Sequence, residues 1–164
     1  AHDYLFAIRS GKVSAELDIA SIDLASRSFL VTKNSETPLM IRRDADGDIE
    51  RLKDSGGRIG LYRRTRPKVL EFPLAVGSMA ILVSDGVAHA GSIRTSRLPL
   101  VETARHVLSG VTTAQQVADG MLEAAIEADR NRPADDLTVV VLRAFDVEDE
   151  RAVRRMAMSF PVSG

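Results

Sequence analysis

The chain has 164 residues, enough for one domain with a substantial core and too few for two ordinary ones. Hydrophobic residues make up 45% and charged residues 27%, and no apolar run reaches the length of about 18 residues needed to cross a membrane, so a soluble globular domain is expected. With 22 basic and 23 acidic residues the formal net charge is -1, which argues against nucleic acid as a partner, while the absence of cysteine removes disulfides, thiolate metal sites and cysteine nucleophiles and fits a cytoplasmic location.

The opening "AHDYLFAIRSG" has no initiator Met and no signal pattern, and it looks like the end of a helix. The chain is therefore expected to begin inside a longer protein. "KVSAELDIASIDL" sets Val13, Ala15, Leu17 and Ile19 between polar residues, the two-residue period of a half-buried strand. "SFLVTKN" and "PLMIRR" continue an antiparallel meander, with the segment 24–27 as a hairpin connection. Asp46-Gly47 predicts a two-residue turn. Asp44, Asp46 and Asp48 share the spacing of a calcium loop, but residue 55 is Ser where that loop needs a glutamate.

"SGGRIGLYRRTRP" joins glycines to basic residues and reads as a tight turn with a solvated basic loop. The run from Met79 to Val83 suits a strand covered on both faces, with Asp85 just past its end. Helical spacing follows. "LPLVETARHVLSG" has Pro99 near its start and Gly110 past its end, and the next segment opens with Thr113 and Gln116 as a capping box. Gly120 should weaken this second helix. "DDLTVVVL" then places Asp135 and Asp136 just before a buried strand, and "VRRMAMSFPV" predicts a last strand.

If the strands that follow 79 and 138 are antiparallel neighbours, the exit of one and the entry of the other share a sheet edge, and Asp85, Asp135 and Asp136 can converge. Carboxylates at close range repel, and a hard divalent cation relieves them; oxygen-only ligation suits magnesium or manganese. Gly86 leaves room beside Asp85 for close approach to the backbone. Taken singly, each motif reads as a plain turn, and it is their ordered pairing that carries the information.

In their order, Ser84-Asp85-Gly86-Val87 and Asp135-Asp136-Leu137-Thr138 resemble the "[ST]-D-G-[VI]" and "D-[DN]-x-T" motifs of metal-dependent Ser/Thr protein phosphatases of type 2C (PPM), in the bacterial branch named for stage II sporulation protein E. "GGRIGL" and Gly77 fall in the same order, and the resemblance runs from about Gly11 to Arg143. It implies an α+β fold, an α/β/β/α sandwich of antiparallel sheets flanked by helices, of which residues 1–164 would be a single, N-terminally incomplete domain, the C-terminal two-thirds. It also implies a hydrolase with a binuclear Mn2+ or Mg2+ centre, in which a metal-bound water attacks phosphoserine or phosphothreonine on a regulatory protein such as an anti-sigma-factor antagonist. By matching position Asp85 and Asp135 would be the catalytic metal ligands, with Asp136 and Gly86 supporting them.

The family's first Asp-Gly metal motif is absent, and Asp18 and Asp23 have no following glycine to replace it. An incomplete domain would expose apolar surface and favour self-association. The alternative function is a catalytically silent phosphatase-like regulatory or interaction module. His89 reads as a surface histidine, and Ser84 lacks the surroundings of a hydrolase nucleophile.

Overall fold

A computed structural model describes residues 2–52, 56–110 and 113–146. The elements are α1 (His2–Arg9), β1 (Leu17–Asp23), β2 (Ser28–Asn34), β3 (Leu39–Arg42), β4 (Glu50–Leu52), β5 (Lys68–Pro73), β6 (Met79–Val83), α2 (Asp85–His89), α3 (Leu100–Gly110), α4 (Ala114–Ala128) and β7 (Val139–Arg143). The last strand expected near residue 158 lies outside the described residues.

Among the described residues all strand pairs are antiparallel. One sheet runs β1-β2-β5 and the other β4-β3-β6-β7. Alternation along β3 and β6 divides the core in two. Leu39, Ile41 and Ala80 face the three-stranded sheet, where Phe29 and Phe72 stack at 5.0 Å across the β2–β5 pair. Met40, Met79 and Ile81 face the helices and meet Leu100 and Ala104 of α3 with Val117, Met121 and Ala125 of α4. The expected coverage of β6 on both faces is thus present: Met79, Ala80 and Ile81 are fully buried.

Helix α4 begins where its sequence predicts. The Thr113 side chain accepts from the Gln116 backbone N–H, and the Gln116 side chain returns a bond to the Thr113 backbone. Gly120 has a packing reason: a Cβ there would meet Val107 of α3 at 2.8 Å, so the glycine lets the two helices close together.

Two local expectations are corrected. Leu17 and Ile19 of β1 lie on the exposed face, while Asp18 and Ala20 point inward opposite Lys33 and Val31. The inward Asp18 is tolerated because Lys33, the Asn34 N–H and the Ser35 hydroxyl all bind it. The Asp46-Gly47 two-residue turn is also not made. The 43–49 connection is longer, Asp44 Oδ1 accepts from the Asp46 N–H, and Gly47 does not take a positive φ. Asp48 is bound by Arg105 at 2.7 and 2.5 Å, so both oxygens of that carboxylate meet a guanidinium.

Candidate metal and phosphate site

The β6–β7 register pairs Val83 with Val139, so the segment leaving β6 and the segment entering β7 lie side by side. Ser84 joins them. Its N–H donates to the Thr138 carbonyl at 2.9 Å, and its hydroxyl donates to the Asp136 carbonyl at 3.0 Å and accepts from the Thr138 N–H at 3.0 Å. The hydroxyl is therefore spent on the backbone, which agrees with reading it as no nucleophile. Its structural role escaped the sequence, because its partners lie more than fifty positions away.

Gly86 is fitted to the same junction. A Cβ at this position would stand 2.4 Å from the Asp136 carbonyl oxygen. The space expected beside Asp85 is thus occupied by the backbone of the second motif, and the absence of a side chain lets the two motifs touch.

Asp85 and Asp135 are exposed and line one small cleft of about 260 Å³ with His89 and Asp129. Asp85 Oδ1 accepts from the Gly86 N–H at 3.0 Å, and Asp135 Oδ1 accepts from the Asp136 N–H at 2.8 Å. The second oxygen of each has no protein partner among the described residues. Asp136 contributes its carbonyl to the Ser84 bond, and its own carboxylate is exposed outside this cleft. His89 is exposed and its Nδ1 lies 3.0 Å from the Asp85 carbonyl oxygen. Asp129, which no motif singles out, is buried and accepts from the Gly91 N–H at 2.8 Å, holding the turn after α2.

Asp85 also borders a larger cleft of about 540 Å³ between the sheet ends, whose other walls include Glu16, Asp18, Thr37, Arg58 and Thr138. Lys33 is buried behind these residues, within 3.5 Å of Asp18 and bonded to the Ser35 and Thr37 carbonyls. Glu16 takes the Thr37 hydroxyl on one oxygen and Arg58 on the other. Burial alone would raise the Glu16 pKa, but the bonds from Thr37 and the Glu36 backbone, together with the Arg58 charge, hold it below the usual range.

Exposed carboxylate oxygens from Asp85 and Asp135 match in kind the hard-oxygen donors that Mg2+ and Mn2+ prefer, and such ions need only one or two carboxylates when they keep their waters. In number the donors suffice for a single ion. Among the described residues no group of three or more His, Cys, Asp or Glu side chains is arranged to hold a metal.

The family model for Stage II sporulation protein E (SpoIIE) matches residues 2–145. Stage II sporulation protein E of Bacillus subtilis (strain 168) is 29% identical over 136 residues, a match that covers 80% of this chain and 16% of the relative. The chain thus spans only a small part of that protein's length. The structure of the phosphatase domain of SpoIIE from Bacillus subtilis matches with a TM-score of 0.64 and 22% identity over 90% of this chain and 65% of that one. The catalytic domain of the serine threonine protein phosphatase PstP, in complex with two manganese ions, matches with a TM-score of 0.68 and 13% identity over 88% of this chain and 67% of that one. The fold is that of a type 2C phosphatase domain, of which the chain covers a part.

Proposed function

Because the chain belongs to the Stage II sporulation protein E family, we propose that it is part of a metal-dependent Ser/Thr protein phosphatase that removes phosphate from a regulatory protein in bacterial signalling. The substrate class proposed is a phosphorylated anti-sigma-factor antagonist, which places the reaction in sigma-factor regulation in the cytoplasm. Residues 1–164 are read as one phosphatase-like domain, the C-terminal two-thirds of the complete one. The share of the SpoIIE phosphatase domain that it covers, 65%, supports that proportion.

The observation that carries the reading is the Ser84 junction, which ties the two carboxylate motifs together so that Asp85 and Asp135 open onto one cleft. These two would hold the divalent cation. Manganese or magnesium suits the donors, and the two manganese ions in PstP support a binuclear centre that draws further carboxylates from outside the described residues. When bound, such a centre supplies Lewis acidity and an activated water. The chain's own part is positional: Ser84 and Gly86 fix the two carboxylates relative to one another, and the larger cleft beside Asp85 receives the phosphorylated side chain.

Manganese-dependent hydrolysis of a phosphoserine peptide tests this, measured on the chain and on the chain extended upstream through its native coding sequence. The extended form is expected to turn over and to lose activity by about a hundredfold or more on Asp85→Ala. No turnover and no manganese binding by either form would remove the catalytic reading. One observation favours a catalytically silent regulatory module instead, namely the lack of a three-donor metal group among the described residues. Partner binding indifferent to metal and to Asp85→Ala would establish that module.

Self-association is proposed through the outer face of the three-stranded sheet, where Leu17, Ile19, Leu30 and Val69 are exposed. Among the described residues no helix is long and apolar enough to cross a membrane.

A further inference from the structure

The segment from Gly57 to Pro67 carries Arg58, Arg63, Arg64 and Arg66 and no acidic residue, in a chain whose formal net charge is -1. All four arginines are exposed. Arg58 is held by Glu16, with Nε at 3.1 Å and Nη2 at 3.0 Å from Oε1. The other three make no ion pair or hydrogen bond with a described residue. With no acidic residue in the segment and no ion pair to a described residue, these three form a local concentration of positive charge.

The loop is also fixed in place at its base. Ala15 and Ile59 exchange two backbone hydrogen bonds of 3.0 Å, the Gly60 N–H donates to His2 Nδ1 at 3.0 Å, and the Thr65 hydroxyl reaches the Arg58 carbonyl at 3.4 Å. Thr65 thereby folds the Arg63-Arg64-Arg66 stretch back toward Arg58. Arg58 in turn lines the same cleft as Asp85. Arg58 is thus the basic residue on the cleft, and Arg63, Arg64 and Arg66 follow it in the same loop outside the cleft lining.

We propose that this loop is a docking surface for the phosphorylated protein substrate, in which Arg63, Arg64 and Arg66 engage acidic residues flanking the phosphoserine or phosphothreonine while Arg58 faces the phosphate in the cleft. The inference rests on the phosphatase reading above and specifies its substrate as a phosphoprotein with an acidic flank. Arginine suits this role, since its planar fork meets carboxylate and phosphate oxygens in pairs. Glu16 meets the Arg58 guanidinium through Nε and Nη2. Glu16 leaves Nη1 unused, and this is the donor offered to a phosphate in the cleft.

The test is equilibrium binding to the protein at its native full length, without added metal so that the probes stay intact. The probes are two fluorescent phosphoserine peptides, one flanked by Asp and Glu and one by Ser and Gly. The unaltered protein is expected to bind the acidic peptide about tenfold more tightly, the sum of several exposed charge pairs. Adding salt should shrink that preference. Combined Arg63→Glu, Arg64→Glu and Arg66→Glu should reduce it to within about twofold, while Arg63→Lys, Arg64→Lys and Arg66→Lys together retain most of it. The proposal is overturned if neither peptide binds or the unaltered protein shows no preference. Survival of the preference under charge reversal overturns it as well, as does equally tight binding of a short RNA of the same charge, which would make the loop a general polyanion site. Manganese-dependent hydrolysis of p-nitrophenyl phosphate by the same protein reports separately on the phosphatase reading. Its failure leaves the binding comparison standing on its own result.

Discussion

Ser84 joins the two segments that carry the candidate carboxylates. Three hydrogen bonds run from this one residue to the Asp136–Thr138 segment, two of them through the hydroxyl. Ser84→Ala keeps the backbone bond and leaves the Thr138 N–H and the Asp136 carbonyl, both exposed, to water. The expected cost is about 1–2 kcal/mol in urea unfolding, and the Asp85 and Asp135 cleft should loosen with it, weakening manganese binding severalfold. A variant with unchanged stability and unchanged manganese affinity would show the junction to be held by the strands alone. At this scale the candidate carboxylates were legible, because each motif is a local string whose chemistry can be named from its residue types. The staple was not, since a serine's partners in space leave no trace in its neighbours. The same limit hid Asp129, a buried acceptor for the Gly91 N–H, and the reason for Gly86, which is the backbone of Asp136 at 2.4 Å from where a Cβ would sit.

Elements were read best where a signal is short-ranged. The capping box of α4 is a four-residue pattern, and it forms with both of its reciprocal bonds. Thr113→Ala removes the side-chain acceptor for the Gln116 N–H, so it should cost about 1 kcal/mol by thermal or urea unfolding, with Thr113→Ser close to neutral. Alternation placed β6 correctly as a strand buried on both faces, but it misassigned the face of β1. A period of two identifies a strand without saying which side is inside, and the register decides: Asp18 opposite Lys33 and Ala20 opposite Val31 turn the apolar Leu17 and Ile19 outward. What makes the inward carboxylate acceptable is Lys33, fifteen positions on, together with the Ser35 hydroxyl. Likewise Asp46-Gly47 has turn composition but no two-residue turn, because the Asp44 carboxylate offers the Asp46 N–H a closer acceptor within a longer connection.

For the whole molecule, the pattern of carboxylate partners fixes the sign of its response to acid. Among the described residues three carboxylates are held below their usual range. Asp48 is lowered chiefly by hydrogen bonds from Arg105 and the Ile49 N–H, and Asp23 by the Ser26 and Ala25 N–H groups that close the β1–β2 hairpin. Glu16 resists the upward push of burial through Thr37, the Glu36 backbone and Arg58. A carboxyl that is more acidic folded than unfolded contributes stability that is fully present above its unfolded pKa and is lost as pH falls through its folded one. Stability should therefore be flat near neutrality and decline progressively below about pH 5. Glu16 joins the segment before β1 both to Thr37 beyond β2 and to Arg58 at the root of the basic loop. Glu16→Gln retains the capacity to accept from Thr37 but gives up the charge that Arg58 meets, so urea midpoints measured from pH 7 down to pH 3 should fall less steeply than those of the unaltered chain. Because Arg58 loses its counter-charge in that variant and becomes available to an incoming anion, the acidic phosphopeptide should bind no more weakly at pH 7. A parallel loss of binding would show that Glu16 is needed to hold the arginine on the cleft wall.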